Sequence, residues 1–325
     1  MGLFLPELSS YLPPHDEFSN LQARIINRTV WSFDEPNANS KRVKLYWHDL
    51  VVPITNTTIS EDESAHNRVW YELEEGGYAY SGGIQPVRTI LNEPKRIPTR
   101  GILGEVSVPY TDAYLEPDEN AEFIYRLYYE TVHWVMSAVD SKDGTGTVWY
   151  RLLDDKFEKH YYVPAGHIRL ISNEELTPLS PHIPIEQKRV EVRLDEQLLL
   201  AYENGRAVFA TRISTGGRRL SGTYTTPVGN FITYHKRPTR HMANGDIASN
   251  GFDFPGVPWV LYITESGISF HGTYWHNDYG IPHSHGCINM TPQAAKWLYR
   301  WTMPTVPPEK YVVHGYVGTK VEIKK

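Results

Sequence analysis

The chain has 325 residues, room for two or three domains, and 40% hydrophobic with 22% charged residues excludes wholesale disorder. A formal net charge of −6 argues against nucleic acid as the main partner. No apolar run is long enough to span a bilayer, and an aromatic share of 13% favours β-rich modules over helical bundles.

The opening stretch MGLFLPELSSYLPP lacks a basic region followed by a sustained apolar run, so it does not read as a secretory signal. Pro6 in place of Ser or Thr argues against myristoylation. Residues 1–27 are expected to be an N-terminal extension.

An internal repeat follows. Val69-Trp70-Tyr71-Glu72-Leu73 reappears as Val148-Trp149-Tyr150-Arg151-Leu152, Lys44-Leu45-Tyr46 as Arg126-Leu127-Tyr128, and Glu35-Pro36 as Glu116-Pro117. The offsets of 79, 82 and 81 define one unit of about 80 residues that occurs twice. Short alternating runs rich in Val, Tyr and Trp are broken by turn clusters such as Glu75-Gly76-Gly77, Ser81-Gly82-Gly83 and Asp143-Gly144, which predicts small β-barrels over 28–97 and 98–172. Most of these aromatics are expected to be barrel core.

Residues 173–187 carry Pro178, Pro181 and Pro184 and read as a linker or an extended wrap. Beyond them, 189–194 alternates as a half-buried strand does. Leu198–Tyr202 and Ala207–Ala210 flank an Asn204-Gly205 hairpin turn. Trp259–Ile263 and Ile268–Phe270 predict two more strands, and Thr291 caps a short helix from Pro292 to Trp301. Tyr234 to Asn250 is polar, too long for a tight turn, and expected to be a lid carrying Arg240 and His241.

The stretch HGTYWHNDYGIPHSHGCINM, residues 271–290, holds the chain's single cysteine, Cys287, among His271, His276, His283 and His285. A free thiol is only about 3% thiolate at pH 7, and a nearby imidazole can take its proton to leave a nucleophile for an acyl carbon. His271 ends a predicted strand and Cys287 opens onto the predicted helix, so a 15-residue loop can bring the two together. The N–H groups of Gly286 and Cys287 are candidates for an oxyanion hole. Zinc is the chemical rival, but the spacing of these ligands matches no common zinc pattern, so no metal and no cofactor is expected. His276 and His283 are expected to be solvated loop residues.

His271-Gly272-Thr273, then Ser284-His285-Gly286-Cys287-Ile288-Asn289, together with the upstream Thr226-Pro227-Val228-Gly229-Asn230-Phe231, closely resemble the L,D-transpeptidases (YkuD-type domain) over residues 188–325. The two Val-Trp-Tyr units resemble bacterial SH3-like domains. The expected architecture is therefore mainly β: two small SH3-like barrels, then a mixed-β catalytic domain with a short helix after the nucleophile.

The resemblance implies action on peptidoglycan stem peptides, with Cys287 as nucleophile and His271 as general base. It implies that a backbone carbonyl at Gly272 or Thr273 orients the base. It further implies that Ser284, His285 and Gly286 shape the nucleophile turn and oxyanion hole. Carbapenem-type inhibitors are expected as ligands by the same resemblance. Asn289 stands where many relatives carry Arg, which bears on substrate contacts. Tyr274, Trp275 and Tyr279 are expected to form an aromatic substrate wall, with Asn289, Arg240 and His241 as further substrate contacts. Water in place of an acceptor amine would make the enzyme an L,D-carboxypeptidase, and a decayed catalytic domain would leave a wall-binding protein. The expected location is the cell envelope.

Overall fold

The computed structural model describes residues 20–142, 144–219, 222–245 and 251–325. The expected extension up to residue 19, Asp143 of one turn, and 246–250 of the polar segment lie outside these. Two compact units result. One holds the described residues up to Thr89 together with Trp275–Asp278; the other holds Ile90–Tyr274 and Tyr279–Lys325, less the undescribed positions.

The first unit is built on seven strands in the order Arg42–Trp47, Thr29–Phe33, Tyr78–Tyr80, Val69–Leu73, Val51–Ile59, Gln22–Ile25, Ile84–Val87. The second unit repeats that permutation strand for strand, from Phe123–Tyr128 at one edge to Ile168–Leu170 at the other. The repeat legible in the sequence is thus one topology used twice. The Val-Trp-Tyr strands sit at equivalent places in both copies, and Trp70, Tyr71, Trp149 and Tyr150 are all buried. Each such ring removes roughly 150–250 Å² from water, worth about 4–6 kcal/mol before entropy is counted. The first copy begins at Gln22–Ile25, inside the segment expected to be an extension. Buried Arg24 disguised that strand: it bonds Gln85 and Asp49 rather than facing water, which breaks the apolar alternation.

The second copy was expected to stand apart from the catalytic segment. It does not. Leu103, Val132 and Trp134 of that copy share one hydrophobic core with Val190, Ile213, Trp259, Leu261 and Trp301. The proline-rich stretch between them, read as a linker or an extended wrap, is a packed strap. Leu176 is buried, the Leu179 N–H donates to the Arg300 carbonyl at 3.1 Å, and Lys188 Nζ donates to the Leu179 carbonyl at 3.0 Å.

Two five-stranded sheets complete the second unit. One runs Arg206–Arg212, Leu198–Glu203, Lys188–Arg193, Lys320–Lys324, Gly229–Ile232. The other runs Ile288–Met290, Ser269–Gly272, Phe252–Tyr262, His235–Asn244, Val313–His314. Asn204 and Gly205 take φ of 50° and 77° at the expected hairpin. The helix Pro292–Trp301 starts where the sequence places it, with Thr291 Oγ1 accepting from the Ala294 N–H at 3.2 Å. The polar segment read as a lid is mostly strand: His235–Asn244 pairs along its length with Phe252–Tyr262. Charged side chains hid it, because Lys236 is buried and spends its ammonium on the Tyr299 and Thr302 carbonyls.

Because one core spans the second copy and the catalytic segment, Trp134→Ala should destabilise both together, by about 3–5 kcal/mol in a single transition. Urea denaturation followed by near-UV circular dichroism checks this; two separate transitions in the parent protein would contradict the shared core.

Candidate active site

Strand register assembles the site. Ser269–Gly272 runs parallel to Ile288–Met290, with Phe270 opposite Ile288 and His271 opposite Asn289. Cys287, one residue ahead of its strand, therefore lies beside Ser269, and its Sγ is 3.6 Å from Ser269 Oγ. Side chains two residues apart share a face of a sheet, so Cys287 and His271 project from the same side. Strand spacing and rise put their Cα atoms roughly 8 Å apart, within reach of a thiol and an imidazole leaning together.

His271 is 2% exposed, and its Nδ1 lies 3.0 Å from the Gly272 carbonyl. A carbonyl only accepts, so Nδ1 carries the proton and Nε2 keeps its lone pair. Gly272 thus orients the ring. Thr273, the other candidate, is hydrogen-bonded to Tyr279 instead, Oγ1 to OH at 2.6 Å. Burial lowers the His271 pKa to about 4, with the Gly272 carbonyl opposing. Burial likewise raises the Cys287 thiol, with Ser269 opposing. Burial thus favours the neutral form of each group, and the thiol lies 3.7 Å from the Gly267 carbonyl.

The turn before the cysteine is tied from within. Ser284 Oγ accepts from the Gly286 N–H at 3.0 Å and donates to the Cys287 carbonyl. The Gly286 amide, expected to serve an oxyanion hole, is thereby committed to the turn. Gly286 itself has φ of +116°, a backbone conformation that requires glycine. Thr226 was part of a recognised motif but was not expected at the site. Its Oγ1 accepts from the Gly216 N–H at 2.9 Å and donates to the Gly286 carbonyl at 2.8 Å. Sequence reading also missed the segment Ser214–Gly216, which bridges to Asn289 and Ser284. Its small residues carry no periodic pattern. Between Cys287 and the helix lies the strand Ile288–Met290, which the sequence reading did not place.

The remaining expected residues divide. Asn289 is buried beside His271 on the same face, its backbone exchanging two 2.9 Å hydrogen bonds with Ser214. His285 is exposed, with its ring 4.3 Å from Tyr224 and 5.9 Å from Phe252. Tyr274 and Tyr279 are buried packing residues, which removes them from the expected wall; Tyr274 stacks on Tyr128 and donates to the Pro255 carbonyl. Trp275 belongs to the first unit, as does His276, which is buried rather than solvated. The aromatics that flank the nucleophile turn are Tyr224 and Phe252, isolated in sequence and so without a signal. His241 is buried between Asp154 and Asp253, away from any ligand. Among the described residues, no group of three or more His, Cys, Asp or Glu side chains is arranged to hold a metal. Among them also, no helix is long and apolar enough to cross a membrane.

A lone cysteine on a shaped turn, diagonal to a tautomer-fixed histidine on the next parallel strand, defines a thiol–imidazole site in a mainly β domain. Residues 187–323 match the family model of the YkuD L,D-transpeptidase catalytic domain. Among solved structures, an L,D-transpeptidase from Xylanimonas cellulosilytica is 30% identical over 42% of this chain and 60% of its own, with a TM-score of 0.31. The Enterococcus faecium catalytic domain acylated by ertapenem is 24% identical over 40% of this chain and 97% of its own, TM-score 0.30. L,D-transpeptidase 3 from Mycobacterium tuberculosis is 15% identical over 60% of this chain and 92% of its own, TM-score 0.34. TM-scores of this size carry no argument, and the likeness is that of residues 187–323 to the family model. A search of curated proteins returns no match.

The buried imidazole has a consequence for stability. It titrates near 4 when folded and near 6.5 when free, so the unfolded chain takes up the proton first as pH falls. The His271 contribution is whole above about pH 6.5 and is lost as pH drops toward 4. His271→Gln should therefore flatten the pH dependence of unfolding free energy in that window, by up to ~1.4 kcal/mol per pH unit. Urea melts across the window measure it; a slope unchanged from the parent protein would rule out a buried neutral imidazole.

Proposed function

We propose that this chain is a cysteine-dependent acyltransferase of peptidoglycan, an L,D-transpeptidase. The observation that carries the reading is the register that sets Cys287 and His271 on one sheet face, with the Nδ1 proton of His271 held by Gly272. In the proposed reaction Nε2 takes the thiol proton as Sγ attacks the carbonyl carbon of the third stem residue. The tetrahedral oxyanion needs hydrogen-bond donors. Since the Gly286 amide is spent on Ser284, the Cys287 amide is the backbone donor left from the expected pair. The imidazolium then protonates the nitrogen of the departing D-Ala, leaving a thioester. An amine of a second stem attacks the thioester, gives its proton to Nε2, and the thiolate is released and reprotonated.

Neutral partners suit this cycle. No ion pair has to be held in a desolvated pocket between turnovers, and charge develops only when a carbonyl is present to receive it. The substrate places the action outside the cytoplasm, in the cell envelope. The two repeated β units, SH3-like by the sequence motifs they carry, position the catalytic domain on the wall polymer in this reading.

Two outcomes are expected. Cys287→Ala should abolish release of D-Ala from tetrapeptide stems, measured by mass spectrometry of the products; unchanged release would sink the assignment. Cross-linked dimer among the parent protein's products supports amine transfer, whereas tripeptide alone assigns water as the acceptor. Incubation with a carbapenem should add the mass of one inhibitor molecule at Cys287, as the acylated Enterococcus faecium domain suggests. An intact-mass spectrum with no addition counts against a nucleophilic thiol.

A further inference from the structure

The sheet face that carries the nucleophile also carries Arg237, and a shared carboxylate brings Arg240 to it. His314, His235, Tyr262 and Ser269 lie side by side on successive strands, and Cys287 follows Ser269. His314 stacks on His235 at 4.0 Å, and His235 stacks on Tyr262 at 4.5 Å. Two residues beyond His235, on the same face, stands Arg237. Its Nε donates to His235 Nε2 at 3.2 Å, so His235 is neutral and acts as a rest for the guanidinium. Burial, His314 and the two arginines hold the His235 pKa near 4, in keeping with that role.

Asp155, on a turn of the second repeat, gathers the pair. Its Oδ2 accepts from Nη1 of Arg237 and from Nη1 of Arg240, both at 2.9 Å. Its other oxygen accepts the His241 N–H at 2.6 Å. One carboxylate thus holds two guanidinium groups and leaves one net positive charge. The two arginine side chains are 21% and 26% exposed, sheltered but open to solvent. Among the described residues, Arg237 Nη2 and both Nε and Nη2 of Arg240 have no acceptor. Three unspent, charge-assisted donors beside an aromatic rest form a fork for a planar anion.

Distance sets which anion. Three strand spacings across and two residues along separate Cys287 from Arg237, about 16 Å between Cα atoms, and an arginine side chain leaning back along His235 shortens the gap to the order of 10 Å. A peptide residue spans about 3.5 Å, so the ligand group lies two or three residue lengths from the scissile carbonyl. The carboxylate of the departing D-Ala is too close to that carbonyl to reach.

We propose that Arg237 and Arg240, held by Asp155, form a carboxylate subsite for the part of the donor stem retained in the acyl-enzyme. The subsite rests on the acyltransfer reading given above. Two stem groups have the right chemistry and reach: the α-carboxylate of the second residue and a side-chain carboxylate on the third.

The test uses the full chain with Cys287→Ala, so that binding is read without turnover, and isothermal titration with a tetrapeptide bearing free carboxylates. The same peptide amidated at the second residue, and separately at the third side chain, distinguishes the two sources. One of the amidated peptides should bind about ten- to a hundredfold more weakly than the free acid. Adding Arg237→Gln and Arg240→Gln should erase that preference, and Arg237→Lys with Arg240→Lys should restore part of it. Equal binding of acid and both amides to the unaltered arginine pair overturns the subsite, and this arm needs no arginine variant to fold. A preference that survives both glutamine substitutions overturns it as well. D-Ala release by the parent protein is read separately. Its absence with any peptide fails the acyltransfer reading, while its presence with equal binding of acid and amide fails the subsite alone.

Discussion

The proposed site depends on one short parallel pairing, Ser269–Gly272 against Ile288–Met290. Register in a sheet is all or nothing: a slip of one residue turns every side chain to the other face. With the observed register, Phe270, Ile288 and Met290 enter the core. Ser269, His271, Cys287 and Asn289 are left together on the opposite face. The core therefore fixes the geometry of this face. Apolar burial on one side of the pair makes the slipped arrangement costly, since it would put His271 and Asn289 into the apolar core and take Phe270, Ile288 and Met290 out of it.

The close packing around that pair explains its glycines. A Cβ on Gly272 would meet Pro292 at 2.8 Å, and one on Gly216 would meet the Gly286 Cα at 2.9 Å. The helix start, the nucleophile turn and the Ser214–Gly216 segment approach as backbones, leaving no room for side chains. Hydrogen bonds from Ser284 and Thr226 then satisfy the turn's polar groups without water. A turn so fully bonded presents its cysteine in one direction, and the Nδ1 bond to Gly272 presents the histidine in one tautomer.

The duplicated β unit shows how one topology takes two employments. In the first copy the turn after the Val-Trp-Tyr strand is spent locally, with Glu75 paired to Lys44 on the edge strand of the same unit. In the second copy the matching turn carries Asp154 and Asp155, and these reach Arg237, Arg240 and His241. Both nitrogens of His241 face carboxylates, Asp154 and Asp253, which requires the charged imidazolium. Burial opposes that charge, and the two carboxylate bonds outweigh it and raise the pKa. Buried ion pairs of this kind hold a geometry more than they add stability. Here the geometry held is that of the strand bearing the arginines. Sequence comparison of the two copies shows the turn but not its reach, because a carboxylate reads as a solvated surface charge until its partner is known.

What the sequence by itself determined is local. The duplication, the Asn204-Gly205 hairpin and the Thr291 cap follow from residue type and spacing, since backbone propensity acts over a few residues, while the choice of His271 as partner for Cys287 came from the motif's resemblance to a family. Long-range burial decided the rest. Lys236, Arg24 and His241 look like surface residues in the chain and are interior in the fold, each made tolerable by acceptors far away in sequence. Tyr274 and Tyr279 look like a substrate wall and are packing, while Tyr224 and Phe252 carry no pattern and stand beside the nucleophile turn. The second repeat looks like a separate domain and is part of the catalytic core. A side chain's role in each case depends on which distant strand closes over it, and that is a property of tertiary packing that local sequence does not encode.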